Sequence, residues 1–322
     1  IERTKPDYVV YVPKNPDGSS FDTGNEHFLV FDGPDGSLMA VWTQSSCEGA
    51  GDHRIVFSRS DDEGHSWLEP KFLAGSHGPH EKRFASWGFP IVARSGRIYV
   101  VYNQYEEIDD VLHQITGSMG AVYSDDMGVS WTSHQSIEMP RCLHDHPNPT
   151  VPSNWIVWQK PVPDLTGKPF VGFTRWVSPA VRTPPHNDTW TSWESVVEFM
   201  RFENLDSDPD PKDIVVTYTA GENALRVPHY SNPLLSIAQE PSLVRLPDER
   251  LFCVMRTMSG VIWYSVSDDD GRSWSPTRPL LRKDFGAPIL EPLCCCPIYP
   301  LSDGRFVLLH HNNDGRFQGW GP

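Results

Sequence analysis

The chain has 322 residues with a formal net charge of −15, 38% hydrophobic residues and 12 tryptophans. This length suffices for two average domains or for one large all-β domain. The acidic charge argues against nucleic acid or an anionic membrane surface as a partner, and no apolar run is long enough for a membrane span. The 30 prolines and 24 glycines are typical of many turns rather than of long helices.

Short β-rich segments follow one another from the start of the chain, beginning with Asp7–Val12. A unit of strand, turn, strand, longer loop and strand then recurs, with turn residues such as Gly33-Pro34-Asp35-Gly36 and Ser95-Gly96 between its first two strands. The strands predicted for the first two units are His27–Phe31, Leu38–Thr43, Arg54–Phe57, Phe89–Ala93, Ile98–Asn103 and Gly120–Tyr123.

One eight-residue stretch occurs three times, each time after a β-rich run. Its copies are Ser60–Trp67, Ser124–Trp131 and Ser267–Trp274, which share the form Ser-x-Asp-x-Gly-x-x-Trp. In such a stretch the Ser and Asp side chains bond the turn backbone, the Gly can take a positive φ, and the Trp packs under the loop. Each copy therefore predicts a tight connection between two strands.

The rest of the chain continues the same pattern. Between the second and third copies there is room for two more units, and the third copy belongs to a fifth. A sixth unit begins near Cys296 and ends after two strands. The strands predicted in this part are Asn154–Gln159, Phe170–Trp176, Ser195–Phe199, Ile214–Thr219, Ser242–Leu246, Leu251–Arg256, Val261–Val266, Cys296–Leu301 and Arg305–His310.

Short strands at hairpin spacing, with a repeat of about 50–60 residues, favour a β-propeller over a β-sandwich, which would lack the recurring stretch. We therefore expect an all-β chain, with residues 1–322 forming a single propeller domain of four-stranded antiparallel blades. The unit count predicts six or seven blades. Because a propeller closes by pairing its termini in one blade, we also expect that the C-terminal closing strands are missing.

The repeated stretch resembles the Asp-box, or BNR repeat, of sialidase-type β-propellers. In that superfamily these loops lie at the blade periphery, so the resemblance implies the fold and says little about chemistry. Sialidases carry an Arg-Ile-Pro motif on the first blade, three arginines on the substrate carboxylate and a Tyr–Glu nucleophile pair. Here the first blade has Asn25-Glu26-His27-Phe28 in place of Arg-Ile-Pro.

Polar and aromatic residues at the ends of predicted strands are the candidate site residues, because the first strand of each propeller blade lines the channel. Histidine titrates near neutral pH and suits proton transfer, and an arginine fork suits a substrate carboxylate. The candidates for catalysis are His27, His53, Tyr102 and Tyr105, and those for substrate binding are Arg83, Trp87, Arg175 and Arg256.

The first blade resembles that of ulvan lyases and of the rhamnose–glucuronate lyases and rhamnosidases. This resemblance implies His27 and His53 as the paired histidines, Tyr102 or Tyr105 as the tyrosine, and arginines on the uronate carboxylate. The reaction would be a β-elimination in which an arginine acidifies the C5 proton, a histidine or tyrosine removes it, and another protonates the departing O4.

We therefore expect a polysaccharide lyase that acts at a uronic acid of an acidic oligo- or polysaccharide. One alternative is an exo-sialidase or related glycoside hydrolase on the same scaffold, and another is a non-catalytic carbohydrate-binding propeller. No signal peptide begins at Ile1, and we expect a secreted or periplasmic protein.

Metal ligands form a separate candidate group. Cys142, His144 and His146 are close in sequence, and His-x-His on a strand puts both rings on one face, as zinc sites often do. Cys294, Cys295 and Cys296 are consecutive, a pattern unlike a disulfide framework. A structural calcium or zinc ion is compatible with these residues, but the proposed elimination requires no cofactor.

Overall fold

The computed structural model describes residues 5–15, 17, 20–78, 81, 83–183, 193–219 and 223–315. These residues form an all-β structure whose helical segments are the short 3₁₀ helices Leu205–Ser207 and Pro211–Asp213. No helix among them is long and apolar enough to cross a bilayer. The chain separates into two compact units: unit 1 contains residues 1–108, 113–139 and 204–214, and unit 2 contains residues 109–112, 140–203 and 215–322.

Unit 1 contains two antiparallel sheets of four strands, each with its strands paired in chain order. The first sheet consists of β1 (Gly24–Asp32), β2 (Leu38–Ser45), β3 (Arg54–Ser60) and β4 (Lys71–Gly75). The second consists of β5 (Ala85–Val92), β6 (Ile98–Gln104), β7 (Ser118–Ser124) and β8 (Gln135–Ile137). One apolar core joins them, with Val41 and Phe57 from the first sheet packed against Val100 and Tyr102 from the second.

Unit 2 contains two further blades and a two-stranded sheet. The third blade begins with a strand in two pieces, β9 and β10, which both pair with β11. Phe170 and Phe199 of this blade share an apolar core with Leu243 and Met255 of the fourth. The strands are β9 (Trp155–Ile156), β10 (Val162–Pro163), β11 (Pro169–Trp176), β12 (Ser195–Phe202), β13 (Val216–Thr219), β14 (Gln239–Arg245), β15 (Leu251–Arg256), β16 (Trp263–Ser267), β17 (Arg278–Pro279), β18 (Ile298–Pro300) and β19 (Phe306–Leu308).

The predicted four-stranded antiparallel blades are confirmed, but the prediction of six or seven blades is wrong. The described residues form four complete blades and the two-stranded sheet β18–β19. The error lies between the second and third Asp-boxes, where the four predicted strands belong to one blade instead of two. Long connections within this blade, such as the one between Trp176 and Ser195, occupy the length that the sequence pattern assigned to a further unit.

The first predicted strand is also corrected. Residues 7–12 form no strand, and they contribute instead to a cluster in which Val10 and Tyr11 pack on the buried Trp42. The apolar residues there reflect packing on the surface of the first blade, since a segment can bury some of its side chains without pairing its backbone.

The three Asp-boxes adopt the predicted turn. In the first, the Ser60 hydroxyl donates to Asp62 at 2.8 Å and accepts from the Gly64 amide at 2.8 Å. Asp62 then accepts from both the amide and the hydroxyl of Ser66. The second and third boxes repeat these bonds through Ser124 and Ser267. The recurring Ser and Asp side chains therefore form hydrogen bonds within the turn.

Candidate functional site at the first-strand bulges

The first strands of three blades share an unusual backbone feature. His27, Trp87 and Glu240 have positive φ angles of 54°, 59° and 41°, and each lies at a break in the pairing register with the second strand of its blade. Such a bulge redirects a side chain, and a non-glycine residue in this conformation costs about 1–3 kcal/mol unless its surroundings hold it. The residues at these positions are therefore held in place by specific contacts.

In unit 1 the contacts join the first two bulges. The rings of His27 and Trp87 are stacked with their centroids 3.3 Å apart. The Thr43 hydroxyl accepts from the Trp87 amide at 3.1 Å and lies 3.1 Å from His27 Nδ1. When Thr43 donates its proton to Nδ1, the neutral imidazole carries its own proton on Nε2.

Glu26 is the group that His27 Nε2 faces. Its Oε2 lies 3.7 Å from that nitrogen, is buried, and makes no hydrogen bond among the described residues. Burial raises the pKa of Glu26 to about 7, and the charges of Glu48 and Asp52 act in the same direction. At neutral pH this carboxyl group therefore exists in comparable amounts as acid and as carboxylate.

His53 lies in the same unit but is held in a different manner. Its Nδ1 is 2.7 Å from the Ser86 hydroxyl, and burial lowers its pKa to about 4 in spite of the nearby Asp52. The ring is therefore neutral at physiological pH. Asp52 is buried and accepts from the Ser46 amide at 3.2 and 3.3 Å.

The other residues predicted in unit 1 do not join this cluster. The Tyr102 hydroxyl lies 2.8 Å from His134 Nδ1, and its ring belongs to the apolar core between the blades. Tyr105 stacks on Phe84 with centroids 4.3 Å apart. Arg83 is exposed.

The bulge of unit 2 contains an ion pair. Glu240 Oε1 pairs with Arg256 Nη1 at 2.8 Å, and Arg256 also donates to the Gln239 side chain at 3.2 Å. The Glu240 amide donates to the Thr174 hydroxyl at 2.7 Å. The predicted strand-end arginine Arg256 thus lies beside the bulge, bound to protein carboxylate and amide oxygens.

Arg175 occupies the interior of unit 2. Its side chain is 1% exposed, with Nε donating to Glu198 at 2.6 Å and Nη1 donating to Asp145 at 2.9 Å. Both carboxylates are themselves almost fully buried. This arrangement is an internal ion-pair network that ties β11 to β12 and to the preceding loop, and it leaves little of the guanidinium for a ligand.

The predicted metal residues Cys142, His144 and His146 do not converge as a ligand set among the described residues. The Cys142 sulfur accepts from the His144 amide at 3.4 Å, and His146 Nδ1 accepts from the Asn148 amide at 3.0 Å. The group whose ligand atoms do converge is Glu291, Cys294 and His311, with all three atoms within 4.8 Å of one another.

A cavity of about 490 Å³ opens beside the third Asp-box and is lined in part by Arg250, Tyr264 and Trp274. Its acids, Asp268 and Asp269, belong to that box, and Asp269 is bonded to the amide and hydroxyl of Ser273. The cavity therefore follows from the turn architecture and has no group comparable to Glu26.

The sequence analysis assigned no site role to three of the residues that define these clusters, Glu26, Thr43 and Glu240. Glu240 received no role, although it lies near the start of β14, the first strand of its blade, as His27 lies near the start of β1. Thr43 was seen only as the end of a strand. A polar or aromatic residue among the first four positions of the first strand of three blades was the available signal, but the bulge that positions its side chain depends on strand register.

The chain is an all-β β-propeller, as three solved structures with the same fold indicate. A protein of unknown function from Dyadobacter fermentans is 14% identical, with 90% of this chain and 75% of that one covered and a TM-score of 0.60. An α-L-arabinanase from Penicillium chrysogenum, complexed with arabinobiose, is 15% identical over 95% and 80% of the chains, with a TM-score of 0.56. An intramolecular trans-sialidase from Ruminococcus gnavus is 13% identical over 94% and 79%, with a TM-score of 0.59.

The family follows from the sequence. The model of the BNR repeat-like domain matches residues 36–318, and the chain belongs to this family. The predicted resemblance to sialidase-type Asp-box propellers is therefore confirmed. A sequence search of curated proteins gave no significant match.

Proposed function

We propose that this protein is an enzyme that cleaves glycosidic bonds, with Glu26 and His27 as its acid–base pair. The observation that carries the proposal is the buried Glu26 oxygen, which makes no hydrogen bond among the described residues and faces an imidazole fixed by Thr43 and Trp87. Fixed proton donors and acceptors of this kind are what glycosidic cleavage requires. The arabinanase and trans-sialidase named above support a glycan as the substrate class.

Hydrolysis is the reaction that this arrangement favours. Protonated Glu26 would donate its proton to the glycosidic oxygen as the bond to the anomeric carbon breaks, and its raised pKa suits an acid that works near neutral pH. A water molecule would add to that carbon and give its proton to Nε2 of neutral His27, whose own proton is then on Nδ1 and is donated to Thr43. Glycosidases use a second carboxylate. Glu48 and Asp52, on the loop between β2 and β3, supply negative charge that would stabilise the positive charge developing on the sugar ring.

The test uses Glu26→Gln, with Asp32→Asn as its matched control. Asp32 ends the same strand, β1, with an exposed carboxylate. We expect Glu26→Gln to lower kcat/KM by about 100-fold or more, which is the usual contribution of a general acid, whereas the control keeps its activity. The wild-type rate should fall on the alkaline side of pH 7, and the variant should lose that limb.

The measurement is the release of reducing ends from neutral and acidic glycans. Full activity of Glu26→Gln would remove Glu26 from the mechanism. Failure of the wild-type protein to cleave any glycan that it binds would instead support a carbohydrate-binding propeller.

Elimination at a uronic acid is the second candidate, and the position of His27 favours it. With its own proton on Nδ1 and donated to the Thr43 hydroxyl, His27 would take the C5 proton on Nε2 as the C4–O4 bond breaks, and protonated Glu26 would supply the proton to O4. The product would be a C4–C5 unsaturated uronate, whose ultraviolet absorbance separates elimination from hydrolysis. His27→Asn is the informative variant, because asparagine tolerates the positive φ at this position. We expect it to abolish absorbance growth if elimination occurs.

A further inference from the structure

We propose that Glu291, Cys294 and His311 bind a zinc-class divalent cation. Carboxylate oxygen, cysteine sulfur and histidine nitrogen are the three ligand types that zinc uses in proteins. The three ligand atoms lie within 4.8 Å of one another. Zinc bonds of about 2.0–2.3 Å place tetrahedral ligands about 3.3–3.8 Å apart, so the group needs to contract by only about 1 Å.

Glu291 is the fixed member of the group. Its side chain is 0% exposed, and its Oε2 accepts from the His311 backbone amide at 2.8 Å. This bond orients the carboxylate and leaves Oε1 directed toward the His311 ring, 3.3 Å from Nδ1. A ligand carboxylate oriented by a second hydrogen bond is the usual arrangement around protein metal ions.

Charge balance also favours a cation at this position. Burying a carboxylate is costly unless a cation or several hydrogen bonds compensate it. Among the described residues, the Glu291 carboxylate is hydrogen-bonded to His311, by its amide and by its ring. The nearby Arg256 is already paired with Glu240, so it does not provide the missing charge.

The group has the form of an open site. It offers three protein ligands, and the His311 side chain is 63% exposed, so that a cation can enter from solvent and keep a water molecule as its fourth ligand. A soft thiolate with imidazole and carboxylate favours zinc over calcium or magnesium, which prefer oxygen ligands alone. All three residues lie in unit 2, and the inference does not depend on the role of Glu26.

The test is a titration of the metal-free full chain with Co²⁺ as a spectroscopic probe. A thiolate ligand gives a charge-transfer band in the near ultraviolet, and tetrahedral Co²⁺ gives visible bands. We expect the wild-type protein to show both. Cys294→Ser should lose the charge-transfer band, whereas Cys295→Ser, its matched control, should keep it.

Zinc affinity supplies a second measurement. His311→Ala removes a ligand from an exposed position, where the fold should tolerate the change, and His310→Ala is its control because His310 Nδ1 is bonded to the Leu290 carbonyl. Loss of an outer-shell partner alone weakens metal binding by about 10–100-fold, so we expect His311→Ala to weaken it by at least about 100-fold and His310→Ala much less. The absence of a thiolate band in the wild-type protein, or its persistence in Cys294→Ser, would overturn the proposal.

Discussion

The bulges of units 1 and 2 have the same backbone design and different side-chain chemistry. In unit 1 the Trp87 amide donates to the Thr43 hydroxyl, and in unit 2 the Glu240 amide donates to Thr174. Both threonines lie on the second strand of one blade, and both amides belong to the first strand of the following blade. The positive φ is therefore a product of the propeller scaffold, because it occurs wherever this bond is made.

The side chains at the bulges differ completely. In unit 1 the His27 imidazole stacks on the Trp87 indole, and the Glu26 carboxyl group, which can be protonated near neutral pH, faces the imidazole. Unit 2 pairs Glu240 with Arg256 and stacks no ring there among the described residues. The scaffold fixes where a side chain is presented, and the residue type decides whether that position can exchange a proton.

The Asp-box tips make the same distinction between scaffold and chemistry. A Cβ added to Gly128 would lie 2.4 Å from Phe57, and one added to Gly271 would lie 2.4 Å from Phe170. In each unit the Asp-box of the later blade is thus wedged against an aromatic residue of the preceding blade. Packing of this kind supports the blades, and it has a counterpart at the bulge of the second blade, where a Cβ added to Gly88 would lie 3.0 Å from Ile55 of the first blade.

The largest effect that we predict concerns the charged interior of unit 2. Arg175→Met should destabilise the protein by about 3–5 kcal/mol, because it leaves Glu198 and Asp145 buried without their cation. Lys168→Met is the control. Its partner Glu203 is 23% exposed, and such a pair contributes at most about 1 kcal/mol. Urea unfolding monitored by circular dichroism measures both changes.

Equal stabilities of the two variants would show that the buried network is not structural. A folded Arg175→Met protein with a raised KM for an acidic glycan would return Arg175 to the substrate-binding role that the sequence suggested.

The turn signals of this chain could be read from the sequence, as could His27 and Trp87 as candidate residues, whereas the contacts that assemble the site could not. The contacts of each Asp-box lie within eight consecutive residues, so the contacts of Ser60, Asp62 and Gly64 can be predicted from the local sequence alone. The Glu26–His27–Trp87 cluster joins two blades through Thr43, and Arg175 pairs across a long loop. Such contacts depend on register and on loop length, which is also why the blade count failed between the second and third boxes.

A smaller effect separates the two bulges directly. Thr43→Val removes the acceptor of the Trp87 amide and the partner of His27 Nδ1, whereas Thr174→Val removes the acceptor of the Glu240 amide. A buried donor left without its partner costs about 1–3 kcal/mol. We therefore expect both variants to lose stability in urea and Thr43→Val to lose more. Equal losses would mean that the contact between Thr43 and His27 contributes nothing to folding.

The smallest effect tests whether the Glu26 position costs stability. Because the folded-state pKa of this acid is raised from 4.5 to about 7, the folded state holds the proton more tightly than the unfolded chain. Its contribution is therefore fully present below pH 4.5 and is lost as the pH rises to 7. A tenfold difference in proton affinity between the two states corresponds to about 1.4 kcal/mol, and the partial exposure of Glu26 (16%) reduces the total to about 1–2 kcal/mol.

Glu26→Gln stays neutral at every pH and should therefore gain about 1–2 kcal/mol over the wild-type protein between pH 5 and pH 8. Asp32→Asn, which removes an exposed carboxylate from the same strand, is the matched control. Urea midpoints measured across this range decide the matter. A gain that stays constant with pH would mean that Glu26 is solvated in the folded state. The bulges of units 1 and 2 would then differ in their side chains, but the bulge of unit 1 would not hold a proton near neutral pH. A gain that grows with pH would mean that the first blade gives up stability to keep this carboxyl group protonated near neutrality, which is what a general acid requires.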